Sequence, residues 1–203
     1  MKHLNKLSII LLLISSSAFG QASLDKTVKK NLPDRKLTIE PGIGMTFYQL
    51  PGLRISNLVQ LDLNKRLSIV SYSSYSYNNA FLRDFNFIKT NYDYSLSQKF
   101  GIGTSRYTKH STHTLSLIAG IKYDAFKETL NNPEFEKVIV SVKSVSPDVG
   151  LMYNLKVGKK KYFFSYRMYI PLYPYPFKSS DINSIDGNLA NLSMEFGFGI
   201  RLK

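Results

Sequence analysis

His110, Ser111, Thr112 and His113 form the one stretch where a base and a nucleophile adjoin. A histidine activates a serine hydroxyl only if it reaches that proton. On an extended chain His110 and Ser111 point to opposite faces, and no acid stands nearby in sequence to orient a base. A polar hairpin tip is therefore the preferred reading, with an ester-cleaving pair at His110/Ser111 as a minor alternative. No enzyme activity is expected. Two histidines without cysteine or a close carboxylate make a poor metal site, so no metal or other cofactor is expected. Gly101-Ile102-Gly103-Thr104-Ser105 lacks the Lys-Ser/Thr ending of a phosphate loop.

The second chemical set is a group of ten charges: Glu40, Arg54, Asp62, Lys89, Asp93, Lys122, Lys143, Arg167, Glu195 and Arg201. They fall on the polar side of segments that alternate apolar and polar. Charges sharing one interior must pair, because a lone buried charge is costly. Alternatively they line a path for ions. Bases outnumber acids six to four in this set, so the alternative is a ring selective for small anions. An ion-paired filling is preferred.

These residues need strands to aim them. In the last twelve residues Leu192, Met194, Phe196, Phe198, Ile200 and Leu202 alternate with Ser193, Glu195, Gly197, Gly199, Arg201 and Lys203. A period of two gives one apolar face and one polar or small face. The pattern recurs from Leu37 to Phe47, where Pro41 predicts a bulge or a strand end. It recurs from Leu53 to Leu63, and with imperfect phase from Leu67 to Tyr77, which predicts a bulge or a segment leaving the membrane. Further segments are Ile88–Leu96, Phe100–Ser105, His113–Tyr123, Val138–Val142, Val149–Leu155 and Tyr162–Ile170. Turns are expected at Ser97–Lys99 and Ser146–Asp148, and Asp124–Glu136 is the least strand-like stretch. The count is ten strands, with eight a close second that merges or expels one hairpin between Lys109 and Ser146. Short turns alternate with longer loops, as in an antiparallel up-and-down transmembrane β-barrel.

Composition agrees with that class. Residues 1–20 read as a cleaved secretory signal: Lys2 and Lys6, the apolar run Leu7–Ile14, then Ala18-Phe19-Gly20 before the cut. Residues 21–35 are polar and read as a flexible periplasmic lead-in, leaving 36–203 for one barrel domain. No later run approaches the roughly 20 apolar residues of a spanning helix. Cysteine is absent, so there is neither disulfide nor lipid-anchor chemistry. The formal charge is +13. Lipid headgroups or lipopolysaccharide phosphates are the expected counter-charges, not nucleic acid, which an exported chain rarely meets. Fourteen tyrosines and thirteen phenylalanines suit interfacial belts.

The alternating final strand, the short turns and the pairs Gly42/Gly44, Gly101/Gly103 and Gly197/Gly199 resemble the small OmpA/OmpX-type outer-membrane barrels. The resemblance covers roughly Lys36 to the end and is one of architecture. It implies the outer membrane of a Gram-negative bacterium and insertion by the barrel-assembly machinery, which reads a terminal aromatic in many such barrels. Here the nearest is Phe198. It further implies a structural or surface ligand-binding role, with a small-solute pore or a lipid-modifying barrel enzyme as alternatives.

Overall fold

The computed structural model describes residues 37–47, 51–64, 66–77, 84–85, 88–130, 138–158, 160–173 and 192–202. The signal and lead-in segments lie outside the described residues. Nine strands are present: β1 Leu37–Phe47, β2 Pro51–Asp62, β3 Leu67–Tyr77, β4 Asp84–Phe85, β5 Ile88–Tyr107, β6 Ser111–Leu130, β7 Val138–Val157, β8 Tyr162–Tyr173 and β9 Leu192–Leu202. Every pairing is antiparallel. β3 pairs with β5 and β9 returns to β1, so eight strands close into a barrel and β4 is a two-residue addition beside β5. Closure matters in lipid, where an open edge would leave backbone groups with no partner.

The barrel has eight strands, the second of the two expected counts. The merging falls at Ser97–Lys99 and Ser146–Asp148, and not at one hairpin between Lys109 and Ser146. Ser97–Lys99 does not turn; it lies inside β5, and Ser146–Asp148 lies inside β7, each strand 20 residues long. The reason is visible in the phase. Leu96, Phe100 and Ile102 stay exposed on one side while Ser95, Lys99 and Gly103 stay buried on the other, with no break across Ser97–Lys99. A turn would reset that phase. Val145 and Pro147 likewise keep step with Val157, opposite Ser146, Asp148 and Met152. Pro147 lies beyond the last β7–β8 pair, Val149↔Tyr173, where among the described residues the strand is paired on one side only.

Three smaller expectations are corrected. Asp124–Leu130 is strand, continuous with β6. β3 has no bulge: its pairing is regular from Leu67 to Tyr77. Its phase looks imperfect in sequence because Val70 and Tyr72 point inward, into an apolar patch with Leu58, Ile118, Met152 and Tyr169. Pro41 neither bulges nor ends β1; the ladder to β9 skips Glu40 and Pro41 and resumes at Gly42↔Gly197.

The outer face is largely apolar, with Ser71, Ser73 and Gln98 hydrogen-bonded to one another on the outward positions of β3 and β5. Ile43, Ile55, Phe100, Ile102, Ile121, Phe164 and Phe196 are 59–68% exposed. They come from six different strands, so the exposed apolar surface is a belt. A soluble monomer rarely shows so large a patch; a lipid-facing barrel requires one. Tyrosines mark the belt's margin: Tyr75, Tyr94 and Tyr123 stand in line on β3, β5 and β6, ring centres 6.1 and 6.4 Å apart. Both ends of the barrel chain, Leu37 and Leu202, pair at one end with the turns at 63–66, 108–110 and 158–161. Gly158 there has φ +111°, a conformation that favours glycine. At the other end β5, β6 and β7 run past β3 and β8 among the described residues. Val138 to Asp148 pairs only with β6 among the described residues.

The belt gives a direct test. Phe196→Arg places a cation on the lipid face, at a cost of about 2–4 kcal/mol near the bilayer midplane. Refolding into lipid vesicles should fall sharply for this variant and stay near native for Phe196→Leu. Equal refolding of all three would mean that the belt does not face lipid.

Candidate functional site

Buried charged side chains meet inside the barrel, and the strand register explains how. Arg167 faces Glu195 across β8–β9, Glu195 faces Gly44 across β9–β1, and Gly44 faces Arg54 across β1–β2. One carboxylate thus sits between two guanidiniums on one row. Arg167 Nε lies 3.4 Å from Glu195 Oε2, and Arg54 Nη1 lies 3.9 Å from Oε1. Ser56 Oγ donates to Glu195 Oε2 at 2.5 Å, and Tyr72 Oη donates to Oε1. Arg54 is completed by Ser76 and Ser193, each at 2.7 Å. Glycine makes the room: a methyl on Gly42 would overlap the Arg167 guanidinium, and one on Gly197, its ladder partner, would crowd it.

Three further pairs complete the filling. Lys99 and Asp148 flank Gly120 on one ladder row, and their side chains meet over it at 2.6 Å. Tyr169 Oη donates to Asp148, and Lys99 Nζ sits 4.2 Å from the Tyr169 ring centre. Lys156 Nζ lies 2.6 Å from Glu40 Oε1. Glu40 also accepts from Thr38 and from Asn154, each at 2.9 Å. Lys122 and Asp124 pair at 3.1 Å. Buried charged side chains number six cations and five anions among the described residues, in a chain carrying +13 overall. Buried bases and acids are thus nearly balanced among the described residues. Among the described residues the charged side chains that are not buried are eight bases against two acids.

Of the ten charges singled out by sequence, Glu40, Arg54, Lys122, Arg167, Glu195 and Arg201 are buried. Arg201 donates to the Lys160 and Gly158 carbonyls at 2.6 and 2.7 Å and covers the Phe163 ring at 4.3 Å, closing the turn end. Asp62 and Asp93 are half-buried, Asp62 accepting from Gln60 at 2.6 Å. Lys89 and Lys143 are exposed on the overhang and take no part in the lumen pairs described above. Sequence reasoning misses Lys99, Asp148, Lys156 and Asp124. Each falls where composition suggests a turn or loop, and the uninterrupted phase of β5, β6 and β7 is the signal that places them inward.

The His–Ser stretch resolves differently. His110 is exposed in the β5–β6 turn. The serine's partner is His113, with Ser111 Oγ 2.9 Å from its Nε2. His113 Nδ1 lies 2.7 Å from Tyr153 Oη on β7. Residues i and i+2 of one strand share a face, here the outer one, at the edge of the belt. Among the described residues no group of three His, Asp or Glu converges to hold a metal ion.

Closed, apolar outside and filled by paired charges inside, this is a small membrane-type β-barrel. A major outer membrane protein from Thermus thermophilus is similar in fold: TM-score 0.50, 11% identity, over 83% of this chain and 100% of that one. The N-terminal β-barrel domain of Pseudomonas aeruginosa OprF aligns over 83% of this chain and 98% of that one, with 9% identity and TM-score 0.47. Neisserial surface protein A aligns over 82% and 95%, with 10% identity and TM-score 0.47. No protein-family model and no curated protein sequence matches the chain.

Breaking a buried pair leaves a charge with no partner and costs about 3–5 kcal/mol, whereas removing both members is often near neutral. Asp148→Asn should therefore destabilise the barrel strongly. Adding Lys99→Met to it should recover much of the loss. Denaturant midpoints in vesicles for the two single variants and the double measure the coupling. Additive effects would show that Lys99 and Asp148 do not depend on each other.

Proposed function

We propose that the protein is an outer-membrane barrel that acts as a sealed anchor, with a structural or surface ligand-binding role carried by its overhanging strands. The observation that carries this reading is the lumen, where each buried acid described above touches a base and small residues fit under large ones. A channel for anions would need unpaired bases facing water; the pairing speaks against it. The lipid-facing belt supports a membrane location, and with the expected secretory signal the reading is the outer membrane of a Gram-negative cell. The chain is matured near Gln21 and inserted by the barrel-assembly machinery. Among the described residues the charges that are not buried are mostly bases, and lipid headgroups or lipopolysaccharide phosphates are their natural counter-charges.

In this reading the turn end lies in the periplasm, because short turns and both barrel termini gather there. The overhang of β5, β6 and β7 projects outward, presenting Lys89, Ser141 and Lys143 on its exposed surface.

The chain has no cysteine, so introduced thiols report cleanly. Cysteine at Ser141 should react with a membrane-impermeant maleimide on intact cells. Cysteine at Lys109 should react only after the outer membrane is permeabilised. The reverse pattern would invert the topology, and recovery of the native chain in the soluble periplasmic fraction would end the membrane reading.

A further inference from the structure

The outer rim near the turn end carries a polar relay that the lumen does not need. Ser111, His113 and Tyr153 all lie on outward positions of β6 and β7, in register with the exposed belt residues Leu115 and Leu117. With its proton on Nδ1, His113 donates to Tyr153 Oη at 2.7 Å and accepts from Ser111 Oγ at Nε2, 2.9 Å away. Thr108 Oγ1 holds the serine from the other side: it lies 2.7 Å from Ser111 Oγ and accepts from the Ser111 N–H at 3.0 Å. With Thr108 donating in that hydroxyl contact, Ser111 Oγ has its proton aimed at the base. Arg106 stands directly opposite His113 in the β5–β6 ladder, on the same outward face.

Nucleophile, base and orienting group are in hydrogen-bond sequence, with a cation beside them. Those are the nucleophile, base and orienting parts that acyl transfer uses. Its place at the boundary of an apolar belt says which ester could reach it. We propose that Ser111, His113 and Tyr153 form an ester-hydrolysing site for glycerophospholipid taken from the adjoining leaflet, with Arg106 receiving the phosphate. The substrate class rests on the membrane reading above; the relay itself does not.

Ser111 Oγ attacks the ester carbonyl carbon while its proton passes to His113 Nε2. The carbon–oxygen bond to glycerol breaks, and the leaving alkoxide takes the proton from His113, giving a lysophospholipid. Water then attacks the acyl-serine and gives a proton to the same nitrogen. Ser111 leaves, recovers that proton, and a fatty acid is released. Tyr153 is a positioning residue that fixes the imidazole tautomer. A neutral phenol supports the imidazolium less than a carboxylate would, so turnover is slow.

The test uses the whole mature chain folded in detergent micelles with diacyl phosphatidylglycerol, which needs no membrane orientation. Fatty-acid release should fall about a hundredfold or more in Ser111→Ala and in His113→Phe, the usual scale for loss of a proton-transferring group. His110→Ala should match native. Tyr153→Phe should lower kcat with KM unchanged. Folding of every variant is scored by mobility of the unheated sample on gels. Independently of any variant, a fluorophosphonate should add to native Ser111, read by peptide mass. Release that is equal in native and Ser111→Ala, or no adduct on Ser111, would overturn the proposal. Failure of the membrane reading would instead show as a soluble native chain and leave the adduct measurement intact.

Discussion

Eight antiparallel strands closed on themselves leave a bore that side chains alone can fill. Much else in this structure follows from that constraint. Every second residue must point into a space with little room for water, so each large inward group needs a small neighbour. Arg167 lies over Gly42 and Gly197, Tyr169 over Gly150 and Phe163 over Gly199. Each inward charge also needs an opposite charge or several dipoles, since desolvation is otherwise uncompensated. Glu195 meets this need most completely, with two arginines, a tyrosine and a serine about one carboxylate.

The same closure separates the two environments cleanly. With no free edge over the shared height of the barrel, the exterior carries only side chains, and it can be apolar. Where the strands outrun their neighbours, that logic stops. β7 beyond Asp148 is paired on one side only among the described residues, and its exposed face mixes Ile139 and Val145 with Lys143 and Ser141. Two ends of one sheet thus meet different demands. The turn end is tight and basic, and the overhang is long and amphipathic.

Much of this is legible in the sequence, and the failures have a common cause. Period-two alternation identifies the faces of β1, β2, β8 and β9, and with them Glu40, Arg54, Arg167, Glu195 and Arg201. It fails where polar residues make a turn look plausible. Ser97-Gln98-Lys99 and Ser146-Pro147-Asp148 read as breaks by composition, yet the apolar parity carries through both. Giving parity precedence over composition finds eight strands and, with them, Lys99 and Asp148. Val70 and Tyr72 mislead in the opposite way: an apolar layer inside the lumen looks like lost phase. Three-dimensional pairing is not readable at all. That His113, not His110, meets Ser111 depends on where the β5–β6 turn ends, and that Tyr153 joins them depends on the β6–β7 register.

The central claim is that the lumen is closed by its own paired charges. Single-channel recording in planar bilayers tests it most directly. The folded native chain should insert without producing conductance steps. Regular, ohmic steps with anion preference from the native chain would contradict the account, because ions would then be crossing a lumen that the paired charges were said to seal.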